Sequence, residues 1–415
     1  MKKLLLSLSL LCAFGANAQR TCATNEMVNQ KAAANPAFAI HNQEIMDYIQ
    51  NPANQMSRIS DTGSPTVVVT IPVVVHVLYK NATQNISDAQ INSQITILNN
   101  DFRKLNADFT SVVPAPFQIY GADLEIAFCK ATKTPTGAAT TGITRKSVPS
   151  TFNFQTSYYL AAGEPAWDTT KYLNIWVGRF NNPNLLGFAY PPGNAGEPDD
   201  GLCIGDQFFG NTGTATAPFN KGRTGTHEIG HYFGLEHIWG NDGSSCGSIA
   251  NNDGVADTPS TNNPYFGCPD FPAFDNDCAG DENGDMFMNY MDYVDDACMA
   301  FFTTGQKAIT QATLAGPRAS LLTSNGCSTL GVNEVTAIRA IAVYPNPVSQ
   351  YFMITSPLTA VDQVEVFNAN GQLVKTQNLT EANNKIYIDE FQAGVYYLRI
   401  YNQGTFLKSD KIVKK

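Results

Sequence analysis

Charged residues are scarce in this sequence: Asp, Glu, Lys and Arg make up 15% of its 415 residues. Positive charge is the scarcer kind, with 26 Lys and Arg against 36 Asp and Glu and a net charge of −10. Because a nucleic-acid surface needs clustered positive charge, we expect no nucleic-acid partner. Histidine is rarer still, with five in the chain, so any local concentration of histidine is informative.

Apolar runs long enough to cross a membrane are also lacking. Residues 4–14 are apolar, follow Lys2 and Lys3, and precede a small-residue segment, Ala16-Asn17-Ala18. This pattern predicts a signal peptide over residues 1–18 and hence an exported protein. The run at 67–79 is too short to span a bilayer and predicts one or two buried strands, so we expect no transmembrane segment.

Nine cysteines are present, and eight remain after removal of a signal peptide that contains Cys12. An even number in an exported protein favours disulfides, although eight cysteines allow 105 pairings. Four of the eight lie between Cys246 and Cys298, in a segment rich in Asn, Asp, Gly and Pro. Cross-links would hold such a segment together.

Composition and residue patterns predict five segments along the chain. The signal peptide is followed by a polar stretch at 19–58, without a strand pattern, that suits a pro-segment or a flexible lead. Alternating strand and helix patterns then predict an α+β domain over 59–325. In it, Ser87 and Asp88 signal the start of a helix. A linker at 326–337 precedes seven short β-rich segments over 338–415, which predict a small all-β, immunoglobulin-like sandwich.

Acidic residues are concentrated in one quarter of the chain. Between Glu197 and Asp296 there are 18 Asp and Glu residues against two basic residues, Lys221 and Arg223. A solvated acidic surface is one explanation of this concentration. Ca²⁺ sites, which need clustered oxygen ligands, and a preference for basic substrates are the alternatives.

Three of the five histidines fall within eleven residues, in the segment THEIGHYFGLEH from Thr226 to His237. On a helix His227 and His231 share a face, and Gly234 allows the chain to turn sharply and bring back His237. Three neutral imidazoles leave the fourth position of a Zn²⁺ open for water. Glu228 lies beside them as a general base for amide hydrolysis by metal-activated water.

Two simpler interpretations of the same segment are a structural zinc site and a chance match on an amphipathic helix. A structural site normally closes its fourth position, and the local sequence offers no fourth ligand. The pattern therefore predicts a single catalytic zinc.

With Asn289-Tyr290-Met291-Asp292-Tyr293, this segment resembles the metzincin clan of zinc peptidases. The stretches Leu173–Val177, Gly222-Arg223-Thr224, Gly254–Pro259, Gly267-Cys268-Pro269 and Asp295–Cys298 resemble its pappalysin family in particular. The resemblance covers about residues 60–325. It implies a zincin-type domain with a twisted mixed sheet, an active-site helix and an irregular lower subdomain.

The resemblance also assigns roles within that domain. Met291 would lie beneath the metal in a methionine turn, and Tyr293 would stabilise the oxyanion. The strand at 172–180 would form the upper rim of the cleft and pair with substrate. The disulfides implied are Cys246 with Cys278 and Cys268 with Cys298. A calcium site is implied at Asp253, Val255, Asp257 and Thr258, where a solvated turn is the alternative.

The family resemblance also implies a latent precursor and a preference among substrates. Bacterial family members carry a cysteine in the pro-segment that occupies the fourth zinc position, and Cys22 is the candidate. Its alternative is a disulfide with Cys129, Cys203 or Cys327. The same members prefer a basic residue after the scissile bond, for which Asp296 or Asp295 would supply the pocket charge. Pro-segment removal is placed near Arg58-Ile59.

The C-terminal segment resembles the type A sorting domain of the type IX secretion system. The resemblance rests on Val343–Pro347, Gly394–Tyr397 and the ending Lys411–Lys415. It implies recognition by the outer-membrane export machinery and no part in catalysis, and a carbohydrate- or protein-binding sandwich is the alternative.

These observations together predict a secreted zinc endopeptidase, made as a proenzyme, that acts on extracellular proteins or peptides. A surface adhesin that keeps the zinc fold for binding is the second hypothesis, and the intact Glu228 counts against it. A different zinc hydrolysis, such as deacetylation, is the third, and His237 and Met291 disfavour it.

Overall fold

The computed structural model describes residues 21–55, 68–240, 253–276, 278, 282–328, 341–356, 361–380, 384–402 and 405–415. The chain divides into two compact units, residues 1–327 and 328–415. The predicted signal peptide, the processing site near Arg58 and most of the predicted linker lie outside the described residues. The domain limits given above therefore stay a prediction.

The first unit is built on a sheet whose described strands number seven. These are β1 (Thr21–Cys22), β2 (Val69–Tyr79), β3 (Ile126–Lys130), β4 (Ile143–Ser147), β5 (Leu173–Gly178), β6 (Leu185–Ala189) and β7 (Leu202–Gly205). Their order is β1-β6-β7-β5-β2-β3, with β4 also paired to β2. The pairs are parallel except for β6 with β7, which is antiparallel.

Strand β2 forms the centre of this sheet because its residues are apolar on both faces. The predicted run at 67–79 is one strand, and Ile71 to Leu78 are buried throughout. β-branched side chains of this kind favour an extended backbone and pack on both faces of a parallel sheet. One edge of β2 pairs with β5, and the other pairs with β3 and then β4.

Nine α-helices surround the sheet in the described part of the chain. They are α1 (Thr24–Ala34), α2 (Pro36–Gln50), α3 (Pro52–Gln55), α4 (Asp88–Phe102), α5 (Phe109–Val112), α6 (Ala115–Gln118), α7 (Phe154–Ser157), α8 (Arg223–Tyr232) and α9 (Thr304–Ala315). The predicted cap of α4 is confirmed, because Ser87 Oγ accepts a hydrogen bond from the amide of Gln90. Ile91, Leu98 and Phe102 of α4 are fully buried.

The polar stretch at 19–58, called the lead below, is mainly helical in its described residues, 21–55, where the sequence left open a flexible segment. Asn35 caps α2 by accepting hydrogen bonds from the amides of Ala37 and Phe38, and Pro36 occupies the first helical position. Phe38, Met46 and Ile49 are buried along one side of α2. The lead escapes prediction because these few apolar residues are spaced along a polar helix, and their burial depends on the surface they meet.

The second unit confirms the seven predicted strands. They are β8 (Ala342–Tyr344), β9 (Tyr351–Thr355), β10 (Gln363–Phe367), β11 (Leu373–Asn378), β12 (Lys385–Tyr387), β13 (Gly394–Asn402) and β14 (Thr405–Lys414). Four form a sheet in the order β11-β10-β13-β14, and three form a second in the order β12-β9-β8. Phe352, Val364, Ile386, Leu398 and Ile412 are buried in the core of this small all-β unit.

Candidate metal centre

Helix α8 presents two histidines on one face, and a third returns from the following turn. The Nε2 atom of His231 lies 3.2 Å from His227 Nε2 and 3.1 Å from His237 Nε2. Gly234 has φ +90°, a left-handed conformation that ends the helix and reverses the chain, as the sequence predicts. The structure therefore brings the three predicted ligands to one point.

Backbone carbonyls fix the orientation of two of these rings. His227 Nδ1 lies 2.8 Å from the carbonyl oxygen of Tyr290, and His231 Nδ1 lies 2.7 Å from that of Leu235. A carbonyl only accepts, so each Nδ1 carries the proton and each Nε2 keeps its lone pair for a metal. Burial lowers the pKa of His231 to about 4, which also favours the neutral, ligating form.

The geometry of the three nitrogens fits zinc. Zinc binds imidazole at about 2.0–2.1 Å, so tetrahedral ligands lie roughly 3.3 Å apart, close to the separations given above. Cys22 joins the group: its Sγ and the three imidazole nitrogens all lie within 4.8 Å of one another. Three imidazoles and a sulfur form a donor set typical of tetrahedral zinc.

Cys22 lies on the edge of the sheet and forms no disulfide. Burial, and then the negative charge of Glu228, raise the pKa of the Cys22 thiol well above its ordinary value. A thiolate at this position therefore needs the compensating charge of a cation. The alternative disulfides of Cys22 are excluded, because Cys129 pairs with Cys327 and Cys203 is a buried thiol.

Glu228 follows His227 on α8 and is buried beside the three imidazoles. Its Oε2 accepts hydrogen bonds from Thr24 Oγ1 at 3.3 Å and from Cys22 Sγ at 3.4 Å. Strand β6 passes close to the carboxylate, since a Cβ at Gly187 would lie 3.0 Å from Glu228 Cγ and Oε1. The carboxylate thus lies between the metal ligands and β6.

The predicted methionine turn packs directly under α8. Met291 is fully buried, and a Cβ at Gly230 would lie 2.4 Å from Met291 Sδ. The ring of Tyr293 meets that of His237 edge to face at 5.0 Å. The amide of Cys22 donates to the Tyr293 hydroxyl at 3.3 Å, so this hydroxyl faces the chain that occupies the cleft.

The upper rim of the cleft is β6, and the prediction of the strand at 172–180 for this role is wrong. β5, which occupies most of that range, is hydrogen-bonded on both sides, to β2 and β7. It therefore has no free edge to offer a peptide. β6 lies outside β7 and pairs with the two-residue strand β1 of the lead.

Asp296 and Asp295 follow the methionine turn. Asp296 is fully buried, and its Oδ2 accepts hydrogen bonds from the amides of Lys221 at 2.8 Å and Arg223 at 3.2 Å. This places the carboxylate at the first residue of α8. Asp295 is half-buried, and its amide donates to the carbonyl of Gly267.

The predicted calcium residues divide into two groups. Asp253, Val255 and Thr258 lie together: Thr258 Oγ1 is 2.9 Å from Asp253 Oδ2 and 3.0 Å from the carbonyl oxygen of Val255. Asp257 turns its carboxylate to the start of α9, where it accepts from Thr303 Oγ1 and the amide of Gly305.

The predicted pairing of Cys268 with Cys298 is confirmed. Cys278 is also disulfide-bonded, and its predicted partner Cys246 lies outside the described residues. The structure adds the bridge between Cys129 and Cys327, which the sequence left open. That bridge links β3 to the end of the first unit.

Sequence reasoning missed three residues at this site. Trp239 stacks on His237 with ring centroids 4.4 Å apart, and its position two residues after the last ligand was the available signal. Thr24 contacts Glu228 and could have been found by its closeness to Cys22 in sequence. Gly187 shows no signal in the sequence, because its contact with Glu228 depends on the strand order.

Comparison with known families gives two matches. A model described as pregnancy-associated plasma protein-A matches residues 160–315, and a secretion system C-terminal sorting domain matches residues 342–415. No helix in the described part of the chain is long and apolar enough to span a membrane.

Curated relatives and solved structures agree with these matches. An extracellular metalloprotease of Arthroderma benhamiae is 30% identical over 61% of this chain and 80% of its own. One from Verticillium alfalfae is 32% identical over 62% and 80%. Mature mirolysin of Tannerella forsythia, solved with a cleaved peptide, is 43% identical over 62% of this chain and 97% of its own, with TM-score 0.58. A promirolysin mutant is 39% identical over 73% and 96%, with TM-score 0.63.

Proposed function

The chain belongs to the pappalysin family of zinc metallopeptidases, and from that premise we propose a mechanism, a latent state and a specificity for it. It is an exported metalloprotease with a type IX secretion sorting domain. The proposal rests above all on one observation: the Nε2 atoms of His227, His231 and His237 meet beside the buried carboxylate of Glu228.

His227, His231 and His237 would hold one zinc ion. When bound, zinc supplies Lewis-acid chemistry that activates water and polarises a carbonyl. Glu228 accepts the proton of the attacking water and later delivers it to the leaving amine. The Tyr293 hydroxyl, which meets the peptide backbone of Cys22 in this structure, donates to the oxyanion that develops on the scissile carbonyl.

After removal of the lead, peptide substrates would bind along the outer edge of β6 as an added antiparallel strand. In this structure that edge carries the lead, because the amide of Ala23 donates to the carbonyl of Gly187 at 3.0 Å. The buried carboxylate of Asp296, near the start of α8, would attract a basic residue after the scissile bond. Asp295 is the second candidate for that charge.

The lead would keep the protease latent. Cys22 would supply a fourth ligand to the zinc, and Thr24 hydrogen-bonds the carboxylate of Glu228 at the same time. The similarity to promirolysin extends over 73% of the chain, against 62% for mature mirolysin. Removal of residues 19–58 would then uncover both the metal and the edge of β6.

Calcium would bind in the loop that holds Asp253. The carboxylate of Asp253, the hydroxyl of Thr258 and the carbonyl of Val255 are the hard oxygen ligands that Ca²⁺ prefers. Burial raises the pKa of Asp253 well above its ordinary range, and a bound cation would compensate its charge.

Replacement of Glu228 by alanine tests the mechanism. We expect kcat/KM on peptides to fall by roughly 10²- to 10⁴-fold, the usual contribution of a general base. Zinc content should stay at one per chain, because Glu228 is not a ligand. Both proteins are activated in parallel by trace trypsin, which is then removed, so that the two are compared in the same processed form.

His227→Ala is the matched control and should lose zinc together with activity. Full activity in Glu228→Ala would exclude Glu228 as the base. Zinc binding without hydrolysis in the wild-type protein would favour an adhesin.

A further inference from the structure

A lysine of the lead occupies a site that the catalytic reaction does not use. The ammonium of Lys31, on α1, lies 2.5 Å from Asn194 Oδ1 and 2.7 and 2.8 Å from the two carboxylate oxygens of Asp199. It also lies 4.9 Å from the ring centroid of Tyr190. Three acceptors for three N–H donors, with an aromatic face beside them, form a complete site for an organic cation.

The site is held by residues of the predicted protease domain, 59–325, and not by Lys31. Asn194 is fully buried, and its Nδ2 donates to Asp199 Oδ1 at 3.1 Å. The hydroxyl of Tyr158 donates to the carbonyl of Asp199 at 2.8 Å. These bonds do not involve the lead, so the site would persist after the lead is removed.

A buried ion pair anchors the loop that carries this site. Asp200, the next residue, pairs with Arg318, and both side chains are 1% exposed. Arg318 also donates to the carbonyl oxygens of Tyr190 and Pro191. Because both ends of the loop are fixed to the same guanidinium, the Asp199 carboxylate stays aligned with the Tyr190 ring.

The site extends the substrate edge of β6. Tyr190 is the residue after β6, and the amide of Ala189, the last residue of β6, contacts Thr24 of the lead. A peptide antiparallel to β6 has its amino-terminal residues at the Ala189 end of the strand. The cation site therefore lies on the amino-terminal side of the scissile bond, and Asp296 is proposed for the opposite side.

An open groove adjoins the cation. Its volume is about 410 Å³, and the protease domain contributes Tyr159, Tyr190, Glu197, Pro198 and Asp199 to its walls. The groove gives a long basic side chain a way in from solvent. Without Lys31, the Asp199 carboxylate, which is buried here, and the aromatic face of Tyr190 would line this opening.

We propose that Tyr190, Asn194 and Asp199 form a second specificity subsite, which takes a lysine or arginine side chain upstream of the scissile bond and which Lys31 occupies in the precursor. This inference rests on the proposed peptidase function. It predicts a preference for positive charge on both sides of the bond, from two separate acidic sites.

The test uses the full chain, activated and separated from its lead. Matched peptides carry lysine or norleucine at one upstream position at a time, with the residue after the bond held constant. We expect wild type to favour lysine at one position by about tenfold in kcat/KM, the size of one charge-assisted hydrogen bond. Asp199→Asn should bring that ratio close to one and leave cleavage of the norleucine peptide little changed.

Glu197→Gln is the matched control, because it removes one exposed charge of the same groove that does not contact Lys31. It should keep the preference. If Asp199→Asn does not fold, Tyr190→Leu serves instead: it keeps the carboxylate, loses the aromatic face and should reduce the ratio about threefold.

Three outcomes would overturn the inference. They are an unchanged ratio in Asp199→Asn, an equal loss on both peptides, and a wild-type enzyme that cleaves both peptides equally at every upstream position. Failure of the wild-type enzyme to cleave any peptide would instead contradict the proposed peptidase function.

Discussion

Glu228 and Gly187 face each other between the active-site helix and the rim strand of the cleft. Glu228 can serve as the base only where its carboxylate reaches a water near the three imidazoles without becoming a ligand. Because Gly187 has no side chain, the Glu228 carboxylate has room to lie there. A residue with no polar group thus contributes to the geometry of a proton transfer.

We expect Gly187→Ala to reduce kcat without loss of zinc. The added Cβ would lie 3.0 Å from Glu228 Cγ and 2.9 Å from the carbonyl oxygen of Cys203, so the carboxylate must shift. A misplacement of this kind costs roughly tenfold to a hundredfold in rate. The measurements are kcat of the activated enzyme and zinc content per chain. Loss of zinc in parallel with activity would contradict this account, since none of the three ligands contacts the added methyl group.

At the scale of elements, the lead acts as one unit with several anchors. Strand β1 covers the edge of β6, α1 carries Thr24 and Lys31, and α2 packs beside the last turn of the active-site helix. Ile49 of α2 is fully buried, and its Cδ1 lies 2.3 Å from the point that a Cβ at Gly234 would occupy. The glycine that turns the chain toward His237 also makes room for the lead.

Ile49→Ala should speed activation of the precursor and leave the processed enzyme unchanged. Truncation of a buried isoleucine costs about 2–5 kcal/mol, so the lead should dissociate at least ~10-fold more often. Activity is followed over time in purified precursor, and kcat/KM is then measured after processing. Ile40→Ala, at a 63% exposed position of the same helix, should match the wild-type rate.

Activation of Ile49→Ala at the wild-type rate would show that α2 does not hold the lead in place.

Cys22→Ala should show peptidase activity before the lead is removed.

The loop of Asp253 packs against the start of α9, so calcium there would stabilise the lower half of the protease. We expect millimolar calcium to raise Tm in wild type and not in Asp253→Asn, because ligand binding to the folded state adds about 2.7 kcal/mol at a hundred times Kd. Asp257→Asn should lower Tm at every calcium concentration and keep the response, since its carboxylate caps α9. A wild-type Tm that does not respond to calcium would contradict a calcium site in this loop.

At the scale of the whole molecule, the central sheet contains a neutral histidine. His76 lies on β2 and is fully buried, with Nδ1 2.8 Å from Thr144 Oγ1 and Nε2 2.9 Å from Asn174 Oδ1. Burial lowers the pKa of His76 from 6.5 to about 4. Its contribution to folding stability is therefore complete above pH 6.5 and is lost as the pH falls toward 4.

We expect the free energy of unfolding to decrease between pH 6.5 and 4 by about 3 kcal/mol more in wild type than in His76→Gln. Denaturant unfolding across this range, with equal zinc in all samples, gives the difference. Val75→Ala, also in β2, is the control and should lower stability by a constant amount at all pH values. Parallel wild-type and His76→Gln profiles would exclude His76 as the source.

The sequence alone determined the chemistry of the site and the local elements. Helical spacing placed His227, His231 and Glu228 together, and Gly234 allowed the return of His237, because these relations span only eleven residues. The strands of the C-terminal unit were equally predictable, since apolar segments there alternate with turn residues at short range.

Only the tertiary structure decided which strand forms the rim of the cleft and what covers it. β5 carries the family resemblance, but strand order leaves β6 as the edge, because hydrogen-bond pairing joins residues far apart in sequence. The helical lead, the contact of Gly187 with Glu228 and the site around Lys31 have the same origin. Each depends on surfaces that meet only after the chain folds, and no local pattern encodes such a meeting.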